Sequence, residues 1–315
     1  VPVLRHERDL LRDKRLKIEL RDAKFKGEDF MAARINHITT MSTNPMAIGT
    51  MYETIFGLNF DTSPKPANYG EVLTDGNVNL NLHHRLPGQR LGLDHFGIEV
   101  DDLEQIFDTL KSNYPSVGWV KRPTSCPYGG YMTHDTEGSI FAITEKNGEP
   151  REFTRETTKN FARWSDGNPR ERNIHHYAIR TRNIEKVAQF YHEVFGFTHS
   201  QGKDGDTNHY LSDGRVSLML IPWTLDVYAG ISVTGRGPDH IGFKVEDAAL
   251  VEKEIESFFS HYSPGQSPIW VLTTLNEKSE ESQIRAAMIA KQCPMTTYSF
   301  TDKDGTFVTI GDKTF

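Results

Sequence analysis

Four histidines occupy matching places in four copies of one pattern, and that repetition limits the folds open to this chain. The copies open at Asn36-His37-Ile38, Asp94-His95-Phe96, His175-His176-Tyr177 and Asp239-His240-Ile241. Each histidine starts a short apolar run with strand character, followed by a polar turn and a helical pattern. The first and third helices stop at Gly57 and Gly196, the residue type that tolerates a left-handed exit. The second and fourth copies match almost position for position, His95 to Asp102 against His240 to Asp247. Hairpin signals then recur, at Asp75-Gly76, Asp135 to Gly138, Asp213-Gly214 and Asp302 to Gly305.

The unit is therefore strand, helix, then two or three strands. One unit cannot cover its own apolar face, so units must pair and build a curved sheet with a concave side. The expected fold is α+β, with four βαβββ modules paired into two domains with mixed sheets. The first domain covers residues 34–145 and the second 173–315, joined by a charged, turn-rich linker at 146–172. Residues 1–33 read as a charged helical extension. An insertion at 259–296 interrupts the fourth unit, with a helical pattern from Ser279 to Lys291.

Histidines at the mouths of repeated strands are candidate metal ligands, because strands hold side chains with little freedom. His37 and His95 form one pair, His176 and His240 the other. Asn79, Asn81 and His83 alternate along one strand, a polar face that suits a wet cleft. Tyr131 and Tyr298 precede the two Asp-x-x-Gly turns and are candidate donors to a substrate oxygen; packing is the competing role. His209 is a candidate acid or base near neutral pH. Met219 is a candidate apolar wall for a substrate.

The net charge of -7 argues against nucleic acid as the main partner. No run approaches the ~18 apolar residues of a membrane span. Cys126 and Cys293 fit neither a disulfide framework nor a thiolate cluster, so a reducing cytoplasm is the expected setting. A small-molecule partner and a homodimer are the expected associations.

The four modules, their histidines, the Phe190-Tyr191 to Phe195-Gly196 segment and both Asp-x-x-Gly turns resemble the vicinal oxygen chelate superfamily. That superfamily includes glyoxalase I, type I extradiol dioxygenases and bleomycin-resistance proteins. The layout looks most like the extradiol enzymes, which implies an active metal in the second domain, at His176 and His240. It implies a divalent ion, Fe(II) first, with manganese, zinc or nickel as alternatives. The family's acidic ligand stands four residues after the glycine of the final turn. Here those positions are Ala142 and Thr309, so the third ligand is missing and a metal-free protein stays open. Asn79, Asn81, His83, Tyr131, Met219 and Thr309 are the expected substrate contacts. Ring cleavage of a catechol-like substrate is the expected reaction. A glyoxalase-type lyase or isomerase and a non-catalytic binding protein are the alternatives.

Overall fold

The computed structural model describes residues 33–62, 69–123, 129–146, 171–225, 235–262 and 280–312. The helix expected before residue 34, Cys126 and nearly all of the linker lie outside these residues. The described residues form one compact unit.

Each half of that unit contributes one mixed sheet. The first half runs β1 (Arg34–Ser42), α1 (Pro45–Phe56), β2 (Asn59–Phe60), β3 (Gly70–Thr74), β4 (Asn79–His84), β5 (Gly92–Val100), α2 (Leu103–Asn113), β6 (Trp119–Lys121), β7 (Tyr131–His134) and β8 (Ile140–Glu145). The second runs β9 (Asn173–Thr181), α3 (Ile184–Phe195), β10 (Thr198–Gln201), β11 (His209–Ser212), β12 (Ser217–Pro222), β13 (Gly237–Lys244), α4 (Ala248–Tyr262), α5 (Glu280–Gln292), β14 (Tyr298–Thr301) and β15 (Phe307–Gly311). The sheet orders are β2-β3-β4-β1-β5-β8-β7-β6 and β10-β11-β12-β9-β13-β15-β14. In both, the strands that open the two modules, β1 with β5 and β9 with β13, lie side by side and antiparallel at the centre. The repeat read from the sequence is thus a real structural repeat, and α5 covers the helical stretch expected within the insertion.

Local chemistry explains the helix ends. Asn44, Asp102 and Asn183 accept from the amides of Ala47, Gln105 and Lys186, satisfying a donor that helix geometry leaves open. Gly57 and Gly196 close α1 and α3 with φ of 68° and 69°.

One face of each sheet carries the core. Leu73, Leu80 and Leu82 are fully buried, and Gly49 of α1 lies against Phe60 and Leu73. The core also crosses between the halves. Phe56 of α1 stacks on Phe243 of β13 at 3.9 Å between ring centroids, while Tyr191 of α3 lies against Phe96 and Phe141 of the first sheet. Each half's first helix thus covers strands of the other half. The opposite face of each sheet is left to form a cleft.

Candidate functional site: two histidine clefts

A break in strand pairing places each of the four histidines. Between β1 and β5, Ile35 pairs with Ile98 and His37 with Gly97, so Asn36 is an extra residue; Thr39 pairs with His95 and Thr40 with Leu93, so Asp94 is extra. Between β9 and β13, His175 and Asp239 are extra in the same way. A bulge turns the extra residue and its neighbour toward one side. The extra residue then bonds Nδ1 of the histidine after it. Those bonds are Asn36 Oδ1 at 2.7 Å from His37, Asp94 Oδ2 at 2.6 Å from His95, His175 Nδ1 at 3.0 Å from His176, and Asp239 Oδ1 at 2.5 Å from His240. With Nδ1 engaged, Nε2 of each ring is the atom turned inward, the arrangement that outer partners impose on metal-binding histidines. Gly97 and Gly242 complete the device: a Cβ at either would fall inside the ring of His37 or His176.

The two clefts differ. In the first, the rings of His37 and His95 are 5.7 Å apart between centroids. In the second, Nε2 of His176 and Nε2 of His240 are 3.0 Å apart. Proton positions there follow from one ion pair. Arg180 Nε donates to Asp239 Oδ2, so that carboxylate accepts from His240 Nδ1–H. Nε2 of His240 then carries a lone pair and accepts from His176 Nε2–H, and His176 Nδ1 accepts from His175 Nδ1–H. Burial first, and then the nearby His240 and His175 rings, push the His176 pKa well down. Burial also takes His175 down to about 4.

A cavity of about 700 Å³ is lined among others by His175, Tyr210, Ser217, Lys203 and Lys291; it reaches the neighbour of His176 but neither His176 nor His240 lines it. Ser217 pairs with His176 across β12 and β9, so the cavity is on the histidine side of the sheet. Farther along the same face, Ala178, Met219, Ile221 and Cys293 form a closed apolar cluster.

Several expected site residues sit elsewhere. Tyr131 pairs with Ile143 rather than Ala142 and meets Phe107 of α2 at 4.9 Å, on the helix side. Tyr298 pairs with Ile310, and its hydroxyl feels Glu252 and Glu256 of α4. His209 pairs with Leu220 and bonds His199 at 3.0 Å, with Glu185 of α3 at 3.5 Å. None of these three faces a cleft; Met132, Ser299 and Tyr210, one residue away in each case, do. Met219 faces the second cleft but belongs to its closed cluster, not to the cavity wall. Thr309 pairs with Gly242, beside the His176 ring. Asn79, Asn81 and His83 line the first cleft, opposite His37, Thr39 and Met41 of β1.

The residues offer part of a metal site. Two Nε2 atoms 3.0 Å apart can reach one ion, given metal–nitrogen bonds of about 2.0–2.1 Å. The acidic position is filled by Ala142, aligned with Gly97, and Thr309, aligned with Gly242. Among the described residues no group of three His, Cys, Asp or Glu side chains converges on a point. His134 and Asp312 are engaged outside the clefts: His134 with Gly118 N and Asp135 O, Asp312 with Ala248 N and Thr297 Oγ1. The chain therefore presents two-imidazole half-sites, not the two-histidine, one-carboxylate set of the iron oxygenases.

This architecture sets the paired histidines of four βαβββ-type modules against two clefts. Residues 173–258 match the model of the Glyoxalase/Bleomycin resistance protein/Dioxygenase superfamily. Comparison with curated proteins finds no match. Among solved structures, a catechol 2,3-dioxygenase aligns with TM-score 0.53 and 12% identity, over 89% of this chain and 88% of its own. The 2,2',3-trihydroxybiphenyl 1,2-dioxygenase of Sphingomonas wittichii aligns with TM-score 0.53 and 13% identity, over 90% and 91%. The Mn(II)-bound glyoxalase of Novosphingobium aromaticivorans aligns with TM-score 0.53 and 13% identity, over 89% and 82%. A xylose isomerase-like TIM barrel/4-hydroxyphenylpyruvate dioxygenase fusion aligns with TM-score 0.51 and 11% identity, over 88% of this chain; the chain spans about half, 48%, of that protein. At these identities the likeness concerns the fold.

Proposed function

We propose that the chain is an enzyme working in the second cleft, where His176 and His240 hold a divalent ion and the adjoining cavity takes a small substrate with two neighbouring oxygens. The observation that carries this reading is the 3.0 Å separation of the two Nε2 atoms, both rings being held through Nδ1. A divalent ion there would stabilise negative charge forming on adjacent substrate oxygens, and ferrous iron would add reactivity toward dioxygen. The protein's own part is to hold and shield. Asp239 and His175 fix the rings, Gly242 gives His176 its place, and the cluster around Met219 keeps water from beneath the pair. Burial pushes the His176 pKa down and favours the neutral ring; to free Nε2 for an ion its proton would move to Nδ1, which then donates to His175 Nδ1. The ligands the chain does not supply would come from substrate and water.

Ring cleavage of a catechol-like compound is the favoured reaction, resting on the four-module layout shared with the two aromatic-ring dioxygenases. A lyase or isomerase needing no oxygen is the alternative, given the likeness to a glyoxalase. Ala142 and Thr309 at the acidic positions favour a second reading, a binding protein without chemistry.

Elemental analysis of protein from metal-replete cells tests the proposal. About one ion per chain is expected, lost in His176→Ala and kept in His37→Ala. The reverse pattern moves the site to the first cleft, and a metal-free parent that also fails to bind added Mn(II), Zn(II) or Fe(II) ends the metal reading. Oxygen uptake with catechol then separates ring cleavage from oxygen-independent turnover.

A further inference from the structure

The first cleft has the register of the second but a different lining. Where β9 and β12 pair Ala178 with Met219 and Arg180 with Ile221, β1 and β4 pair Thr39 with Asn81 and Met41 with His83. The second cleft shows that apolar residues fit this register and pack shut. The first instead buries polar groups without satisfying them. Asn81 is 0% exposed, and neither Oδ1 nor Nδ2 has a hydrogen-bond partner among the described residues. Nε2 of His95 is buried in the same state. Burying such groups unpaired is unfavourable, a cost that a ligand with matching groups removes.

The chemistry of that ligand follows from the donors and acceptors. His95 Nδ1–H donates to Asp94 Oδ2, and in the neutral ring Nε2 then presents a lone pair and calls for an O–H. Asn81 offers one acceptor and two donors. Arg122 brings a positive charge to the place where the family carries its acid. Its Nη1 and the Cβ of Ala142 lie 3.7 Å and 2.6 Å from the point that a Cβ on Gly129 would occupy. Its charge reaches His83 and His37 as well, adding to the burial that holds both pKa values down. Arg122 also helps hold the Asp94 carboxyl down, so a ligand carboxylate here would share the guanidinium with Asp94.

We propose that the first cleft binds a small hydroxylated carboxylic acid, its hydroxyl donating to His95 Nε2, its polar groups bonding Asn81, and its carboxylate facing Arg122. This site needs no metal and does not depend on the reading of the second cleft.

Isothermal titration of the full chain with tartrate, in EDTA so that metal chelation plays no part, tests it. Succinate supplies carboxylates without hydroxyls and glycerol hydroxyls without charge. Tartrate is expected to bind at least tenfold more tightly than either. Asn81→Leu and Arg122→Gln should each weaken tartrate at least tenfold, while His176→Ala leaves its affinity unchanged. Ligand-free Asn81→Leu should melt at a higher temperature than the parent, since an orphaned amide is gone. No tartrate binding by the parent, equal binding by Asn81→Leu, loss through His176→Ala, or a lower melting temperature for Asn81→Leu would each overturn the proposal.

Discussion

The hydroxyl of Tyr52 donates to Oδ2 of Asp302, 3.2 Å away and 250 residues along the chain. The relationship is reciprocal: Tyr191 of the second half reaches Oδ2 of Asp135 in the first, at 3.5 Å. Both aspartates also hold their own turns, Asp302 through the amides of Asp304 and Thr306, Asp135 through those of Glu137 and Ser139. A second reciprocal pair acts nearer the clefts. Asp213 accepts from Ile35 N and Asp75 from Ile174 N, both at 2.8 Å. Ile35 and Ile174 stand two residues before His37 and His176, so each half's hairpin turn fixes the entry of the other half's histidine strand.

Tyr52→Phe should therefore destabilise the protein by about 1–2 kcal/mol, the cost of leaving a buried carboxylate short of one donor. Tyr191→Phe should cost less, because its bond is longer. Urea denaturation of both variants measures the difference. Equal stability of parent and Tyr52→Phe would show that the contact between the halves contributes nothing.

Gly242→Ala should abolish metal binding. The added Cβ would occupy the space of the His176 ring, and moving that ring breaks the Nε2 pair. Overpacking of this kind costs about 1–3 kcal/mol of stability besides. Gly97→Ala makes the same intrusion on His37 and should leave the second cleft's ion in place. Titration with Mn(II) separates the two, and an unaltered isotherm for Gly242→Ala would contradict the cradle.

The repeat made the fold legible, because a period of strand, helix and glycine stop is written in residue types that strands and helices select directly. The four histidines were legible for the same reason. The misplaced residues share one cause. Tyr131, Tyr298 and His209 lie in four-residue or shorter alternating strands, where a shift of one residue exchanges the two faces. Composition gave no phase there; only pairing with Ile143, Ile310 and Leu220 does. The residues before the histidines were in plain view as Asn36, Asp94, His175 and Asp239. Their role was hidden because it depends on bulges, and ordinary alternation would have aimed them at the opposite face.

The buried histidines should favour unfolding in acid, between about pH 6.5 and 4. Burial, followed by the His95 and Arg122 charges, lowers His83 to about 4, and burial does the same to His175. In the unfolded chain both take up protons near 6.5. Within that window the unfolded state binds more protons, so stability rises with pH and falls on acidification, by up to ~1.4 kcal/mol per pH unit for each group. His37 and His176 act in the same direction. Asp302 acts in the other: burial raises its pKa to about 6, so folding binds its proton and stability falls as pH rises toward 6. Burial also raises the carboxyls of Glu53, Asp75, Asp135 and Glu252, which act with Asp302, so the histidines' share is read from single variants. His83→Gln should flatten the slope of urea midpoint against pH; an unchanged slope would place His83 in a solvated setting.

Asp239→Asn should cost both stability and metal affinity, and Asp94→Asn should not match it. The two residues hold equivalent histidines through equivalent bulges, at 2.5 Å and 2.6 Å. Their surroundings differ. The Asp239 side chain is 0% exposed and carries the buried Arg180 on its other oxygen, whereas that of Asp94 is 44% exposed. Neutralising Asp239 leaves a guanidinium buried without its counter-charge, a change worth about 3–5 kcal/mol when a buried pair is broken. It also releases the proton order of the chain: an amide can offer His240 Nδ1 either a donor or an acceptor, so Nε2 is no longer held as the lone-pair atom. Outer partners of this kind are worth about 10–100-fold in metal affinity. Denaturation and metal titration on the same preparations give both numbers. If Asp239→Asn lost affinity while keeping parental stability, the partnership with Arg180 would be irrelevant to folding; if it lost stability while binding metal as before, the carboxylate would hold the fold and not the site.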